Sequence, residues 1–231
     1  MKNTIVILGS TGSIGRSTLK IIRRDKTNFS VKLLSTNSNI NKLYHQCIEF
    51  NVKNVIIKDK LAFKKHEKKF LNKRINVYFN FLNLKNILRS KKIDFIVNAI
   101  SGVEGLEPTL SSIKNSKNIL IANKESIICG WNLIIKKINK YNTNFIPIDS
   151  EHFSIWELMR HDDINNINKI YITASGGPFF RKKHNFIKNA KVESALKHPK
   201  WKMGKKISID SATMMNKVFE VIEAHKIFNV D

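Results

Sequence analysis

Thr4-Ile5-Val6-Ile7-Leu8-Gly9-Ser10-Thr11-Gly12-Ser13-Ile14-Gly15 is the stretch that decides the fold. Its first five residues have the β-branched, apolar character of a buried strand. The glycines follow at the spacing G-x-x-G-x-x-G, and a helical pattern starts directly after them. Glycines permit the tight turn and let backbone N–H groups approach a pyrophosphate, which then rests on the helix N-terminus. A glycine turn in isolation is weak evidence, because any strand-to-helix turn can carry one. Here the strand before it and the helix after it supply the context a dinucleotide site requires.

Outward from this turn, strand and helix alternate. Strand-like runs are expected at residues 4–8, 31–35, 54–58, 76–79, 94–100, 118–122 and 144–148. Helical patterns fall between them, over residues 16–24, 42–50, 61–71 and 125–140. The alternation implies an α/β fold, a Rossmann-like, doubly wound and mostly parallel sheet. After residue 150 the character changes: one apolar strand at 169–173, a loop containing Gly, Pro and Lys, then a helix from about Thr213. A boundary near 149 is expected, with one domain over 1–149 and another over 150–231.

Composition narrows the function. The 231 residues hold 42% hydrophobic side chains, ordinary for a soluble globular protein. No apolar run approaches bilayer length, and a strand already occupies the N-terminus, so neither a membrane span nor a signal peptide is expected. Cys47 and Cys129 have no metal spacing, which suggests a reducing, cytoplasmic compartment. Forty-one Lys and Arg against 18 Asp and Glu give +23. Such an excess invites a nucleic-acid reading. The cations are nearly all lysines scattered along the chain, however, and no recognition motif accompanies them. Small anions such as phosphorylated sugars and dinucleotides suit the field better than nucleic acid does.

The identity of the dinucleotide follows from an absence. An NAD site usually carries Asp or Glu after the second strand to hold the ribose 2′-OH. Residues 33–39 contain no acid. Ser38, Asn39 and the nearby Lys42 can accept a 2′-phosphate instead, so NADPH is expected over NADH.

Ile148-Asp149-Ser150-Glu151-His152 closes the last of these strands. In an extended backbone residues two apart point to the same side, which would aim Asp149 and Glu151 at one spot. Like charges that close disfavour joint ionisation. A hard divalent cation, which prefers oxygen ligands, removes the conflict. A lone Asp-x-Glu is more often two solvated acids, and only convergence of other residues here argues otherwise. Ser175-Gly176-Gly177 is either an anion-binding nest with a hydroxyl donor or a plain tight turn. Asp210-Ser211-Ala212-Thr213 is expected to open a helix whose free N–H groups favour phosphate, with Asn216 and Lys217 one turn in. Asn216, Glu220 and Glu223 share one helical face. Glu220 suits a third metal carboxylate and Glu223 a partner behind it, while Met215, Val218, Phe219 and Ile222 are expected to pack. Trp201 and Met203 either anchor their loop or close over a substrate. Lys124 falls at the carboxyl edge of the sheet, where ligands bind, or is one more surface lysine.

The strings GSTGSIG from Gly9, ANKES from Ala122, DSEH from Asp149, SGGPF from Ser175, HPKWKMGKKISIDSATMMNK from His198 and FEVIEA from Phe219 together resemble one family. It is the 1-deoxy-D-xylulose 5-phosphate reductoisomerases of non-mevalonate isoprenoid biosynthesis. The resemblance runs from about residue 4 to residue 229. It implies that Asp149, Glu151 and Glu220 hold Mg²⁺ or Mn²⁺. Ser150 and Lys124 would contact the hydroxyl-bearing carbons of the substrate. Ser175, Ser211, Asn216 and Lys217 would bind its phosphate, near His198 and beneath a flap carrying Trp201 and Met203. NADPH would be held by Gly9, Ser10, Thr11, Gly12, Ser13 and Ile14, by Asn37, Ser38 and Asn39, by Asn123, Lys124 and Glu125, and by Gly204. The implied reaction is isomerisation of 1-deoxy-D-xylulose 5-phosphate to a branched aldehyde, reduced by NADPH to 2-C-methyl-D-erythritol 4-phosphate. Members of the family continue beyond the length of this chain, which therefore resembles an N-terminal part with a truncated catalytic domain; the whole protein is expected to be a homodimer. Two other classes stand beside this reading. One is another NADP-dependent dehydrogenase of the semialdehyde or homoserine type; the other is a basic nucleic-acid-binding protein.

Overall fold

The computed structural model describes residues 1–89, 92–160, 166–201 and 204–230. The chain divides into two compact units, Met1–Asp149 and Ser150–Asp231.

The first unit contains β1 (Asn3–Leu8), α1 (Ser13–Arg24), β2 (Phe29–Thr36), α2 (Ile40–Phe50), β3 (Asn54–Ile57), α3 (Lys60–Leu71) and β4 (Asn76–Phe79). It continues with α4 (Leu84–Ile87), β5 (Ile93–Asn98), α5 (Leu106–Ser112), β6 (Ser116–Ile121), α6 (Lys124–Tyr141) and β7 (Asn144–Pro147). The seven strands form one sheet in the order β4-β3-β2-β1-β5-β6-β7. Every neighbouring pair is parallel. The strand order reverses between β1 and β5, and in open α/β sheets ligands bind outside the carboxyl ends of the strands at such a switch point. This is the doubly wound α/β sheet that the alternating pattern implies.

Alternation along β1 shows why its sequence is apolar throughout. Ile5 and Ile7 enter one core cluster with Leu19, Ile22, Leu43 and Phe70 from the covering helices. Val6 and Leu8 enter the other, with Leu33, Ile56, Leu84 and Ile96. A central parallel strand is buried on both faces and has no solvent side for a polar residue. Burial raises the Cys47 thiol to about 12, so Cys47 acts as an apolar core side chain. At the opposite end of the strands, the carboxylate of Asp94 accepts from the backbone N–H of Thr4 at 2.8 Å and its hydroxyl at 2.7 Å. Lys117 lies 2.7 Å from the same carboxylate. This cluster ties β1, β5 and β6 together. The lysine, then the threonine bonds, lower the Asp94 pKa to about 2.

The second unit contains α7 (Ser150–Met159), α8 (His184–Lys188), α9 (Val192–Ala195), α10 (Lys205–Ala212) and α11 (Met215–Phe228). Three expectations fail here. Residues 169–173 form no strand, and Tyr171 is largely exposed. An apolar run becomes a strand only when another backbone pairs with it, and no described residue offers that ladder. Ser150 and Glu151 lie in the first turn of α7 rather than on extended backbone, so the two-residue argument for Asp149 and Glu151 does not apply. Finally, Asp210 and Ser211 close α10 instead of opening the next helix. Lys206 pairs with Asp210 four residues on at 2.6 Å, and Thr213 Oγ1 donates back to the Ile209 carbonyl at 3.0 Å. The break comes at Met214, in the left-handed region at φ 60°. No glycine or proline marks it.

Candidate functional site

At the C-terminal end of β1 the glycine turn is held from below. Gly9, at φ 81°, donates its N–H to Ser35 Oγ at 2.8 Å. Ser10 Oγ donates to Gln46 Oε1 at 2.8 Å, and Gln46 returns a bond to the Ser10 carbonyl at 3.0 Å. Thr11 and Thr36 share a hydroxyl bond of 2.7 Å. A Cβ on Gly9 would meet the Ala99 carbonyl oxygen at 2.7 Å, and one on Gly15 would meet the Gly9 oxygen at 2.5 Å. Both positions therefore exclude a side chain, and α1 starts directly against the turn. Gly12, Ser13 and Ile14 stand exposed at the N-terminus of α1, whose first turn carries no acid to occupy the free N–H groups.

Two further helix starts complete the carboxyl edge of this sheet. Asn39, exposed with Asn37 and Ser38, caps α2 by accepting from the Lys42 N–H at 3.3 Å. Asn123 caps α6 by accepting from the Ser126 N–H at 2.8 Å. Its amide nitrogen donates to the carbonyls of Ile100 and Gly102 at 2.5 and 2.6 Å, fixing the turn after β5. Glu125 lies in the first turn of α6. Lys124 is no ordinary surface lysine: it is 9% exposed, with its Nζ 2.9 Å from Asp149 Oδ2. Lysine almost never buries itself without a paired charge.

In the second unit Lys217 gathers oxygens. Its Nζ donates to Glu220 Oε2 and to the carbonyl of Thr173, and lies 3.4 Å from Glu151 Oε1. Asn216 donates to the other oxygen of Glu220, and Ser150 donates to Glu151. The ammonium of Lys217 thus occupies a place where two carboxylates and a carbonyl converge, an all-oxygen set suited to a hard cation.

Helix α11 carries these groups with its polarity inverted. Glu220 and Glu223 are 2% and 0% exposed, whereas Met215 and Val218, expected to pack, are exposed. Phe219 and Ile222 are only half-buried. His152, 0% exposed, stands against this face. Its Nε2 lies 2.9 Å from the Glu220 carbonyl oxygen, and its Nδ1 3.4 Å from Glu223 Oε2. The motif reading gave His152 no role. The available signal was two acids on the face a soluble helix would bury.

The 175–177 turn meets the end of α10. Gly176 and Gly177 have φ of 78° and 67°, left-handed values that a plain tight turn also uses. A Cβ on Gly177 would collide with the Ser211 carbonyl, so the turn and Ser211 lie in contact. His198 Nδ1 accepts from the backbone N–H groups of Lys200 and Trp201 at 3.2 and 3.1 Å. Backbone nitrogens only donate, which leaves the ring hydrogen on Nε2, 3.0 Å from Ser175 Oγ. Gly177 N–H also donates to that oxygen, at 3.3 Å. Ser175 Oγ therefore accepts twice, and its own hydrogen points elsewhere, available for an anion. Ser211 offers a hydroxyl but, at the end of α10, no helix N-terminus. Trp201 is 62% exposed, which disfavours the anchor reading; Gly204, also exposed, caps α10. Met203 lies outside the described residues.

The model of the 1-deoxy-D-xylulose 5-phosphate reductoisomerase family matches residues 5–130, and that of the C-terminal domain of the same enzyme matches residues 145–228. The 1-deoxy-D-xylulose 5-phosphate reductoisomerase of Pelagibacter ubique (strain HTCC1062) is 57% identical over 98% of this chain and 59% of its own length. That of Clostridium tetani (strain Massachusetts / E88) is 45% identical over 100% and 60%. The crystal structure of DOX-P reductoisomerase in complex with NADPH, fosmidomycin and magnesium superposes with a TM-score of 0.90 at 36% identity, over 99% of this chain and 59% of that one. The enzyme from Zymomonas mobilis in complex with NADPH gives 0.88 at 34% identity, over 100% of this chain and 59% of that one. The chain thus spans about 59% of the length of the relatives it matches. With one family model on each unit and these identities along the whole chain, the protein belongs to the 1-deoxy-D-xylulose 5-phosphate reductoisomerase family.

Proposed function

We propose that the full-length protein isomerises and reduces 1-deoxy-D-xylulose 5-phosphate to 2-C-methyl-D-erythritol 4-phosphate, using NADPH and Mg²⁺ or Mn²⁺. The observation that carries this reading is the convergence of Glu151 and Glu220 on the Lys217 ammonium. Two acids held around one cationic atom fit a divalent cation, and the donors are all oxygen. Asp149 supplies the third carboxylate. Only Ser150 separates it from Glu151, so their Cα atoms lie within about 7 Å in any conformation. Bound there, the cation supplies Lewis acidity to the substrate's ketone and hydroxyl oxygens, and the nicotinamide supplies hydride.

The protein's own groups bind and orient. Displaced from the carboxylates, Lys217 turns to the substrate phosphate, together with the Ser175 and Ser211 hydroxyls and Asn216. His198 keeps Ser175 oriented by donating to it. Ser150 and Lys124 contact the hydroxyl-bearing carbons, Lys124 being positioned by Asp149. Phosphate held away from the reacting carbons fixes the substrate's pose. Trp201, with Met203, closes over the site and keeps water from the intermediate.

NADPH fits the first unit. Gly9–Ile14 receive its pyrophosphate, and the acid-free segment Asn37–Asn39 tolerates a 2′-phosphate. Asn123, Lys124, Glu125 and Gly204 complete the cofactor's surroundings. The protein acts as a cytoplasmic homodimer without nucleic acid; no described helix is long and apolar enough to cross a membrane. A homoserine- or semialdehyde-type dehydrogenase is not favoured, because the family match extends over the second unit as well as the cofactor fold.

The test is NADPH oxidation by the full-length protein with 1-deoxy-D-xylulose 5-phosphate. Turnover should require Mn²⁺ or Mg²⁺ and cease with EDTA. Metal-independent turnover, or none with either metal, would remove the proposal.

A further inference from the structure

We infer that His152 and Glu223 form a buried couple whose task is to position Glu220 for the cation, without either side chain touching it. The inference rests on the metal-dependent reading above. His152 follows the candidate ligand Glu151 directly, on the first turn of α7. Its ring crosses to α11 and is wholly buried there, as is Glu223. A carbonyl oxygen can only accept, so the 2.9 Å contact places a hydrogen on His152 Nε2, donated to the Glu220 main chain. The other ring nitrogen lies 3.4 Å from Glu223 Oε2, a contact that requires one hydrogen shared between the two groups. Phe228 stacks on the ring at 6.4 Å between centroids, interplanar angle 13°, and fixes its plane.

The chain of contacts therefore runs from the Glu223 carboxylate through the imidazole to the backbone of Glu220, whose own side chain meets Asn216 and Lys217. One histidine links the helix bearing Glu151 to the helix bearing Glu220. Two ligands on separate helices converge only if those helices keep their relative height, and a buried, oriented imidazole sets that height. Partners behind metal ligands typically change metal affinity by 10–100-fold when removed. A couple serving stability alone could be exchanged for an apolar pair of similar volume at little cost.

The experiment measures Mn²⁺ affinity of the full-length protein by electron paramagnetic resonance, with NADPH affinity and thermal midpoint recorded on the same samples. Wild type and Glu220→Gln are the references. If wild type fails to bind Mn²⁺, the metal-dependent reading itself falls. If it binds and Glu220→Gln does not, the couple can be judged. Glu223→Gln keeps the shape, and its amide can donate to Nδ1 or accept a hydrogen from it, so its Mn²⁺ affinity should stay within about threefold of wild type. Loss as deep as in Glu220→Gln would make Glu223 a direct ligand and overturn the inference. The double change His152→Phe with Glu223→Leu leaves an apolar pair against Phe228. It should keep its thermal midpoint and NADPH affinity while binding Mn²⁺ at least tenfold more weakly. Mn²⁺ affinity equal to wild type in that folded variant would also overturn it.

Discussion

Among single residues, Asp94 gives the clearest pH signature. Lys117 and two bonds from Thr4 hold its carboxyl at about 2, below its ordinary value of 3.8. A depressed carboxylate stabilises the fold at pH above its unfolded value and loses that contribution as pH falls through the folded one. Its side chain is 21% exposed, so screening reduces the effect to on the order of 1 kcal/mol. In chemical denaturation between pH 5 and 2, Asp94→Asn should flatten the acid side of the stability profile and cost little at pH 2. An unchanged acid slope would show that the cluster contributes nothing. Such a cluster was not legible in the sequence, since Thr4, Asp94 and Lys117 meet only once β1, β5 and β6 are side by side. The candidate site residues were legible as types. Glu151, Glu220, Ser175 and Lys217 sit in recognisable strings, but the premise for pairing Asp149 with Glu151 was wrong, because Ser150 already begins a helix.

At the level of elements, the strands were readable because burial on both faces leaves an unmixed apolar run such as Ile5–Leu8; α1, α2, α3 and α6 were readable between them, whereas the short α4 and α5 were not. The sequence pattern set the starts of α2 and α6 at 42 and 125, and the capping side chains Asn39 and Asn123 place them at 40 and 124. The second unit resisted for physical reasons. Residues 169–173 have strand composition but no pairing backbone among the described residues, and the α10–α11 break rests on a left-handed Met214 that no Gly or Pro announces. Helix α11 misleads hydrophobic periodicity outright, since it buries Glu220 and Glu223 and exposes Val218. Violations of this kind are expected where function outweighs packing. The β1–α1 junction offers the element-scale test. Gly15→Ala would push a methyl to 2.5 Å from the Gly9 oxygen. Relief means shifting α1 off the turn, at about 1–3 kcal/mol. The variant should melt earlier and bind NADPH more weakly, with Mn²⁺ affinity preserved. Undiminished NADPH affinity would separate the turn from cofactor binding.

For the whole molecule, the charge of +23 is the feature most open to misreading. Spread as lysines along the chain, it raises the local concentration of any anion and selects none. In the proposed function, selection comes from two places of opposite character. One is the glycine turn at the N-terminus of α1; the other is the set of acids Asp149, Glu151 and Glu220. The proposed chemistry requires that Asp149, Glu151 and Glu220 together take up a divalent cation. Anomalous diffraction at the manganese edge, from crystals of the full-length protein soaked in Mn²⁺, tests it most directly. One peak is expected about 2.0–2.2 Å from an oxygen of each of the three carboxylates, with the Lys217 ammonium withdrawn from Glu220. A peak bound elsewhere, or Lys217 still lodged between Glu151 and Glu220 in Mn²⁺-saturated crystals, would contradict it.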